Sequence, residues 1–354
     1  MTLRRGIAVL LSVIAVAITG CGSSGKSGEV TLTVYSASGL GAWYRSQFAK
    51  FTERTGVAVT LFEAGSGEVV SRVNSRAVWE RLDGEKSVPP ADLLVTIPPF
   101  IQKAAKAGVL QPAGVDVAGL SAESRDPGGL FVPIVKTALC FIANPQAKPR
   151  PVTFEDLLRP GLKGKLQYST PGEAGDGTAL LLLLQHLMGK QGALDYFVRL
   201  NANNVGPSSS TSELQGKVDS GELLIANGDV QMNLASIRND GSRFAIFFPA
   251  AGDGTRTTVS LPYVAGVTAD TKSPEQAKEL LSFLLSDAAQ EAVAAEAHGI
   301  PARDAVAARM ATGTSASPTA AGLLDGVRLW VPDWNAVLGE LDADVAAYTR
   351  ALGR

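Results

Sequence analysis

Two short stretches carry the residue types that could hold an anion. Ala64-Gly65-Ser66-Gly67 and Gly175-Asp176-Gly177-Thr178 each sit where a strand-like run gives way to a helical one. The first turn of a helix has backbone N–H groups with no partner in the helix and about half a unit of positive charge. Glycine lets an oxyanion come close to that backbone, and a Ser or Thr hydroxyl adds a donor. A site built this way needs no Arg or Lys, and neither stretch contains one. Read singly, each is an ordinary glycine turn. Read together, they predict opposed anion-binding turns that grip one small tetrahedral or planar anion.

A ligand that also carries an amine needs an acid or a ring face. Asp176, Asp229 in Ala-Asn-Gly-Asp, and Glu63 beside the first turn are the candidate acids. Tyr35 and Tyr263, within strand-like runs, are the candidate rings. Asp176 has a competing reading as the cap of its own helix, and Asp229 as a turn acid.

Catalytic constellations are absent from the sequence. The histidines, His186 in an apolar helical run and His298 near a helix end, have no second His, Cys or serine elbow at working distance. The Gly-Asp-Gly-Thr turn has no following Lys and is no phosphate-binding Walker loop. No metal ligand set and no cofactor motif is found, so neither is expected. Cys140, in the apolar Thr-Ala-Leu-Cys-Phe-Ile-Ala-Asn run, reads as a small buried hydrophobe.

The elements that must position these groups repeat as strand, loop and helix. Residues 30–38 and 57–65 alternate as strands, and 91–99 form a continuous apolar run suited to a sheet covered on both faces. Trp43 to Thr55 reads as a helix stopped by Gly56, and Ser66 as an N-cap. Residues 131–144 read as one long strand broken at Pro133, which could carry the chain between domains. Thr153 with Asp156, then Pro160, marks a short capped helix. Ser273-Pro274-Glu275-Gln276 opens a helix expected to run to about His298, and another helix starts near Asp333. This alternation predicts an α/β fold with largely parallel sheets. The first unit covers 29–137 with 261–354 returning to it, and the second covers 138–260. Trp330 and Trp334 are expected to anchor the last helix on the first unit.

With 354 residues, 45% hydrophobic and 19% charged, the chain can bury two cores of ordinary size. Its 32 Lys and Arg against 34 Asp and Glu give no electrostatic footprint for nucleic acid. Arg4 and Arg5 precede an uncharged apolar run over residues 6–19, too short to span a bilayer comfortably and typical of a signal-peptide core. Ile18-Thr19-Gly20-Cys21 resembles a bacterial lipobox, which implies cleavage before Cys21, a diacylglycerol on its sulfur, and a flexible tether over residues 21–28.

The segment VYSASGLGAWYRSQFAKFTERTGVAVTLFEAGSGEVVSRV resembles the opening of type II periplasmic binding proteins, near their ferric-ion-binding branch. LLVTIPPFIQKAAKAGVLQP, GKLQYSTPGEAGDGTA, ANNVGPSSSTSEL, ANGDVQMNLA and LWVPDWNAVL together resemble the 2-aminoethylphosphonate-binding subunits of phosphonate ABC importers. The resemblance implies a two-lobed venus-flytrap fold with a two-crossing hinge, a small phosphonate ligand in the cleft, and permease and ATPase partners. It implies a monomer lipid-anchored outside the cytoplasmic membrane. By position it offers Ser36, Ser38, Ser66, Gly67 and Thr96 from the first lobe. From the second it offers Ser169, Thr170, Gly175, Asp176, Gly177, Thr178, Asn227 and Asp229. Ferric binders of the branch use adjacent tyrosines as ligands, and this chain has none, which argues against iron. Arg76 to Ser87 reads as an insertion, expected to be a surface helix. Other open readings are a binder of another small anion, a ferric complex or a polyamine, a cell-surface phosphohydrolase, and a ligand-sensing adaptor.

Overall fold

In the computed structural model the described residues are 30–75, 89–121, 124–311 and 318–353. The signal-peptide run, Cys21, the tether and the 76–87 insertion lie outside them.

The first sheet grows from β1 (Thr31–Ala37), flanked in parallel by β2 (Ala58–Ala64) and β3 (Leu93–Thr96). Leu32 and Val34 of β1 share one apolar cluster with Trp43 and Phe51 of helix α1 (Gly41–Thr55). Tyr35 joins the other, with Val69 of helix α2 (Ser66–Asn74) and Ile101 of helix α3 (Phe100–Lys106). The period-two alternation of the strand thus feeds two covered faces. Gly56 adopts a left-handed conformation at the end of α1, as a C-terminal stop requires. The sheet order is completed by β4 (Leu110–Gln111), β5 (Phe131–Lys136), β11 (Tyr263–Thr268) and β12 (Ile300–Pro301).

The second sheet has four strands, β6 (Leu139–Ala143), β7 (Leu166–Gln167), β8 (Ile225–Asp229) and β9 (Ala245–Phe247), in the order β7-β8-β6-β9. It is backed by the long helix α4 (Gly175–Asn201) and by α5 (Ser212–Ser220) and α6 (Val230–Ala235). Both sheets are mixed rather than largely parallel: β11 runs antiparallel to β3 and β5, and β6 antiparallel to β8 and β9. The strands by which the chain enters each lobe, β6 and β11, run against their neighbours, which strand-and-helix alternation does not reveal.

The chain leaves the first sheet between β5 and β6. Pro133 sits inside β5, and the break falls at Thr137–Ala138 instead. It returns between β10 (Thr257–Val259) and β11. The two crossings lie side by side: Ala138 bridges Ser260, and the Leu261 N–H donates to the Thr137 carbonyl at 2.9 Å. A pair of adjacent strands bending together is a hinge that loses no sheet pairing in either lobe.

The C-terminal stretch departs from the sequence expectation. The Ala- and Leu-rich run after Pro274 divides into α7 (Pro274–Leu284) and α8 (Asp287–Ala292), followed by α9 (Asp304–Ala311). From Ala320 the chain packs on second-lobe elements, not only the first lobe. There α10 (Ala320–Leu323) lies on α6, and β13 (Arg328–Trp330) pairs in parallel with β10. The final helix α11 (Trp334–Ala351) lies on α4, where the Tyr348 hydroxyl bonds that of Tyr168 at 3.0 Å and its ring meets Phe197 edge-on. Trp330 stacks flat on His186 of α4 with ring centres 4.1 Å apart. Aromatic side chains supply the largest apolar area per residue, so the helix follows them. A Lys103–Asp342 ion pair ties its outer face to α3 of the first lobe.

Candidate ligand-binding cleft

A cavity opens between the two sheets where their strands end. Its empty space is about 430 Å³, open solvent at the mouth included. The first lobe contributes Ala37 and Ser38 from the end of β1, Ala64, Gly65 and Ser66 from β2 into α2, and Ile97 after β3. The second lobe contributes Ala174 to Asp176, Ser209 to Ser212, Asp229 and Met232, and the two hinge crossings contribute Thr137, Leu261 and Tyr263. No Arg, Lys or His is among them.

Four helix N-termini meet at this cavity, those of α2, α4, α5 and α6. Gly65 is the N-cap of α2, and Ser66 is its first helical residue rather than the cap expected from sequence. Ala174 is the N-cap of α4. Neither cap residue has a side chain that reaches the first-turn amides. The fourth N-terminus is already satisfied: Asp229 caps α6, its Oδ1 accepting from the Met232 N–H at 2.9 Å and from Thr137 Oγ1 at 3.0 Å. An anion entering the cavity therefore meets the positive ends of α2, α4 and α5, with the Ser66 and Ser209 hydroxyls as further donors.

Asp176 and Asp229 are both buried and face the same cavity with no cation beside them. Burial, and then the charge of Asp229, raises the Asp176 carboxyl far above the ordinary carboxylate range, although a Thr211 hydroxyl bond works against this. Burial raises Asp229 as well, held back by its bonds from Met232, Thr137 and Gln231. Two carboxylates sharing one dry space cannot both ionise cheaply. They form a ready counterpart for an incoming ammonium.

Of the residues expected from sequence, Ser38, Ser66, Gly175, Asp176, Asp229 and Tyr263 line the cavity. Tyr263 does so with its hydroxyl spent on the Ser38 carbonyl at 2.9 Å. The remainder stand behind the lining and secure it. Ser36 Oγ donates to the Ala37 carbonyl and lies 3.0 Å from the Tyr44 hydroxyl, under α1. Thr96 Oγ1 donates to the Ser66 carbonyl. Asn227 Oδ1 accepts from the Ser169 N–H at 2.8 Å, and Thr170 Oγ1 from the Ser208 N–H at 3.0 Å. Thr178 Oγ1 accepts from the Gly172 N–H and donates to the Ala174 carbonyl, both at 2.9 Å. At Gly177 a Cβ would stand 2.0 Å from the Ser169 carbonyl oxygen, so only glycine lets α4 start against that strand end. At Gly67 a Cβ would come within 2.8 Å of the Glu173 carbonyl oxygen of the other lobe.

Glu63 turns away from the cavity to accept from the Gly39 N–H. Tyr35 likewise bonds the Pro89 carbonyl and packs on Phe62. Cys140 is buried, with Asn233 Nδ2 donating to its sulfur at 3.4 Å, and burial pushes its thiol up.

The sequence reading passed over Thr137, Met232, Leu261 and the 209–212 hydroxyls. The run Ser208-Ser209-Ser210-Thr211-Ser212 before a helix carried the same signal as the two glycine turns, without the glycine that drew attention to them.

A two-lobed α/β molecule with helix N-termini from both lobes around one buried cavity is a solute-binding protein of the type II periplasmic fold. The chain belongs to the bacterial extracellular solute-binding protein family, whose model matches residues 32–299. It is 40% identical over 96% of both chains to a Salmonella typhimurium protein named "Putative 2-aminoethylphosphonate-binding periplasmic protein". Among solved structures it is similar to a periplasmic thiamin binding protein (TM-score 0.71, 21% identity, 95% of this chain and all of that one). It is also similar to the AfuA periplasmic binding protein of Actinobacillus pleuropneumoniae with fructose-6-phosphate bound (TM-score 0.73, 18% identity, 91% and 99% covered). Those two likenesses speak for the fold alone.

Family membership places the chain outside the cytoplasm as a capture component that binds a small solute. Among the described residues no helix is long and apolar enough to cross a membrane, and no group of three or more His, Cys, Asp or Glu could hold a metal ion.

Proposed function

We propose that this protein captures 2-aminoethylphosphonate and delivers it to the permease of an ABC importer. The observation that carries the reading is the pairing of chemistries in one cavity: three helix N-termini without a side-chain cap for an oxyanion, and two buried acids with no Arg, Lys or His among the described lining residues. A small molecule with an anionic head and an ammonium matches both. A plain oxyanion such as sulfate or phosphate satisfies the first and is repelled by the second. A polyamine satisfies the acids and leaves the helix termini without a charge. The name of the Salmonella relative supports the same choice.

In this mechanism the phosphonate sits on the α2, α4 and α5 termini, from Gly65 and Ser66, from Gly175, and from Ser209 to Ser212. The ammonium meets Asp176 and Asp229, and the lobes close over both. The reading further takes residues 1–20 as a signal peptide and Cys21 as the lipidated N-terminus that ties the protein to the outer face of the membrane, as a monomer. Intact mass of membrane-extracted protein tests the anchor; a mature chain beginning elsewhere, or an unmodified Cys21, refutes it.

Titration calorimetry and thermal melts with 2-aminoethylphosphonate, ethylphosphonate and inorganic phosphate test the ligand. A ligand that binds only the native state raises the melting temperature. The expected result is a strong shift with the aminophosphonate and a weak one with the others. Equal shifts from ethylphosphonate would remove the role given to the acids.

A further inference from the structure

Gln231 follows the ligand acid Asp229 by two residues, on the second lobe, and is completely buried. Its side chain does not stay in that lobe. Nε2 donates to the Gly39 carbonyl at 2.8 Å and to the Ala297 carbonyl at 2.6 Å. Gly39 lies in the loop between β1 and α1, next to the cavity residue Ser38, and Ala297 ends the turn that packs on α1, so both acceptors belong to the first lobe. Two carbonyl acceptors fix which end of the amide is nitrogen. Oε1 is therefore a true oxygen, and it is buried without a partner.

The surroundings leave no slack. The Gly39 backbone is in the left-handed half of conformational space, and a Cβ there would lie 3.0 Å from Gln231 Oε1 and 2.5 Å from the Tyr263 hydroxyl. Gly299 is similarly confined, its Cβ position 3.3 Å from Gln231 Cγ. The backbone N–H of Gln231 donates to Thr137 Oγ1, which in turn donates to Asp229 Oδ1. One residue thus joins the ligand acid, the hinge and the far lobe.

We propose that Gln231 is the positioning residue that holds the lobes shut, clamping two carbonyls of the first lobe from beside the cleft acid Asp229. A buried oxygen without a partner costs free energy in the closed form and is hydrated in the open one. The orphaned oxygen offsets part of what the two donated bonds contribute, so the latch by itself holds the lobes shut only weakly. It is a device for release as much as for retention. The inference rests on the capture reading above but not on the identity of the ligand.

The test compares wild type with Gln231→Met, which keeps the length and removes both donors. Small-angle scattering reports compaction and stopped-flow reports ligand release, with 2-aminoethylphosphonate and, separately, inorganic phosphate as probes. Gln231→Met should lower the unliganded melting temperature only slightly, since the two lost bonds are partly offset by removing the orphaned oxygen. It should release ligand on the order of tenfold faster, with the preference between the two probes unchanged. Release at the wild-type rate overturns the latch. An unliganded melting temperature lowered as much as the loaded one also overturns it, because Gln231 would then be a packing residue. Wild type that compacts with phosphate alone refutes the aminophosphonate reading, and the latch is then judged on phosphate. Compaction with neither probe refutes capture and latch together.

Discussion

At the scale of residues, the proposed function makes the two buried acids the groups that set what the cleft selects. Asp229→Asn and Asp176→Asn keep the shape and remove the charges. Each should cost roughly 10- to 100-fold in affinity for 2-aminoethylphosphonate and far less for ethylphosphonate, measured by calorimetry. The same pair fixes a pH dependence. In the empty protein Asp176 is raised to about 8 and Asp229 to about 6. Between the ordinary carboxylate range and about pH 8, the native state holds protons that the unfolded chain has already lost. Stability from these groups is therefore complete in acid and declines as pH rises through that window. An ammonium in the cleft favours the ionised acids and reverses the trend. The melting shift given by the aminophosphonate should grow from pH 6 to pH 8, and Asp176→Asn should flatten both curves. A shift independent of pH would show that the acids do not meet the amine.

The legibility of the site has the same origin. Asp176 and Asp229 stood out because acids beside glycine turns are unusual. Ser169, Thr170, Thr178 and Asn227 looked equally functional, yet their polar atoms are consumed by one another and by the backbone groups that shape the loops. A hydroxyl aimed into a cavity and one securing the wall behind it have the same sequence.

At the scale of elements, the glycine turns are set by close approach as well as by helix start. Gly177→Ala places a methyl against the Ser169 backbone, which has no flexible end to yield. We expect a loss of about 1–3 kcal/mol, read as a lower denaturant midpoint with or without ligand. Gly67→Ala differs because its obstacle, the Glu173 carbonyl, is on the other lobe. The unliganded protein should melt normally while the affinity falls. Equal effects on the free and loaded forms would mean that the two lobes do not separate there. The start of the first sheet was readable because β1 and β2 alternate and β3 is a continuous apolar run. The mixed direction of both sheets was not, since strand order depends on contacts far apart in the chain. The short β7, two residues long, was still legible as the strand-like run before the second glycine turn.

At the scale of the whole molecule, the C-terminal helix belongs to the mechanics of both lobes. Sequence predicted the helix and its Asp333 start, and Asp333 does cap it, accepting from the Asn335 and Ala336 amides at 3.1 Å. Its resting place depends on an aromatic cluster drawn from Tyr168, Phe197 and Tyr348, residues separated by up to 180 positions. Tyr348→Ala should destabilise the protein by about 3 kcal/mol or more, by the cavity it leaves, as measured by chemical denaturation. A near-neutral effect would indicate that the helix is only loosely docked.

The absence of lysine and arginine from the cleft wall has a consequence for descent. Amides of the main chain belong to every residue, so a substitution can crowd them but cannot delete them. If the cleft binds as proposed, its oxyanion half is thereby sheltered from most point mutations, whereas its amine half hangs on two replaceable carboxylates. Lineages that keep this scaffold can exchange what hangs from the acidic head of their nutrient at little risk to the head itself.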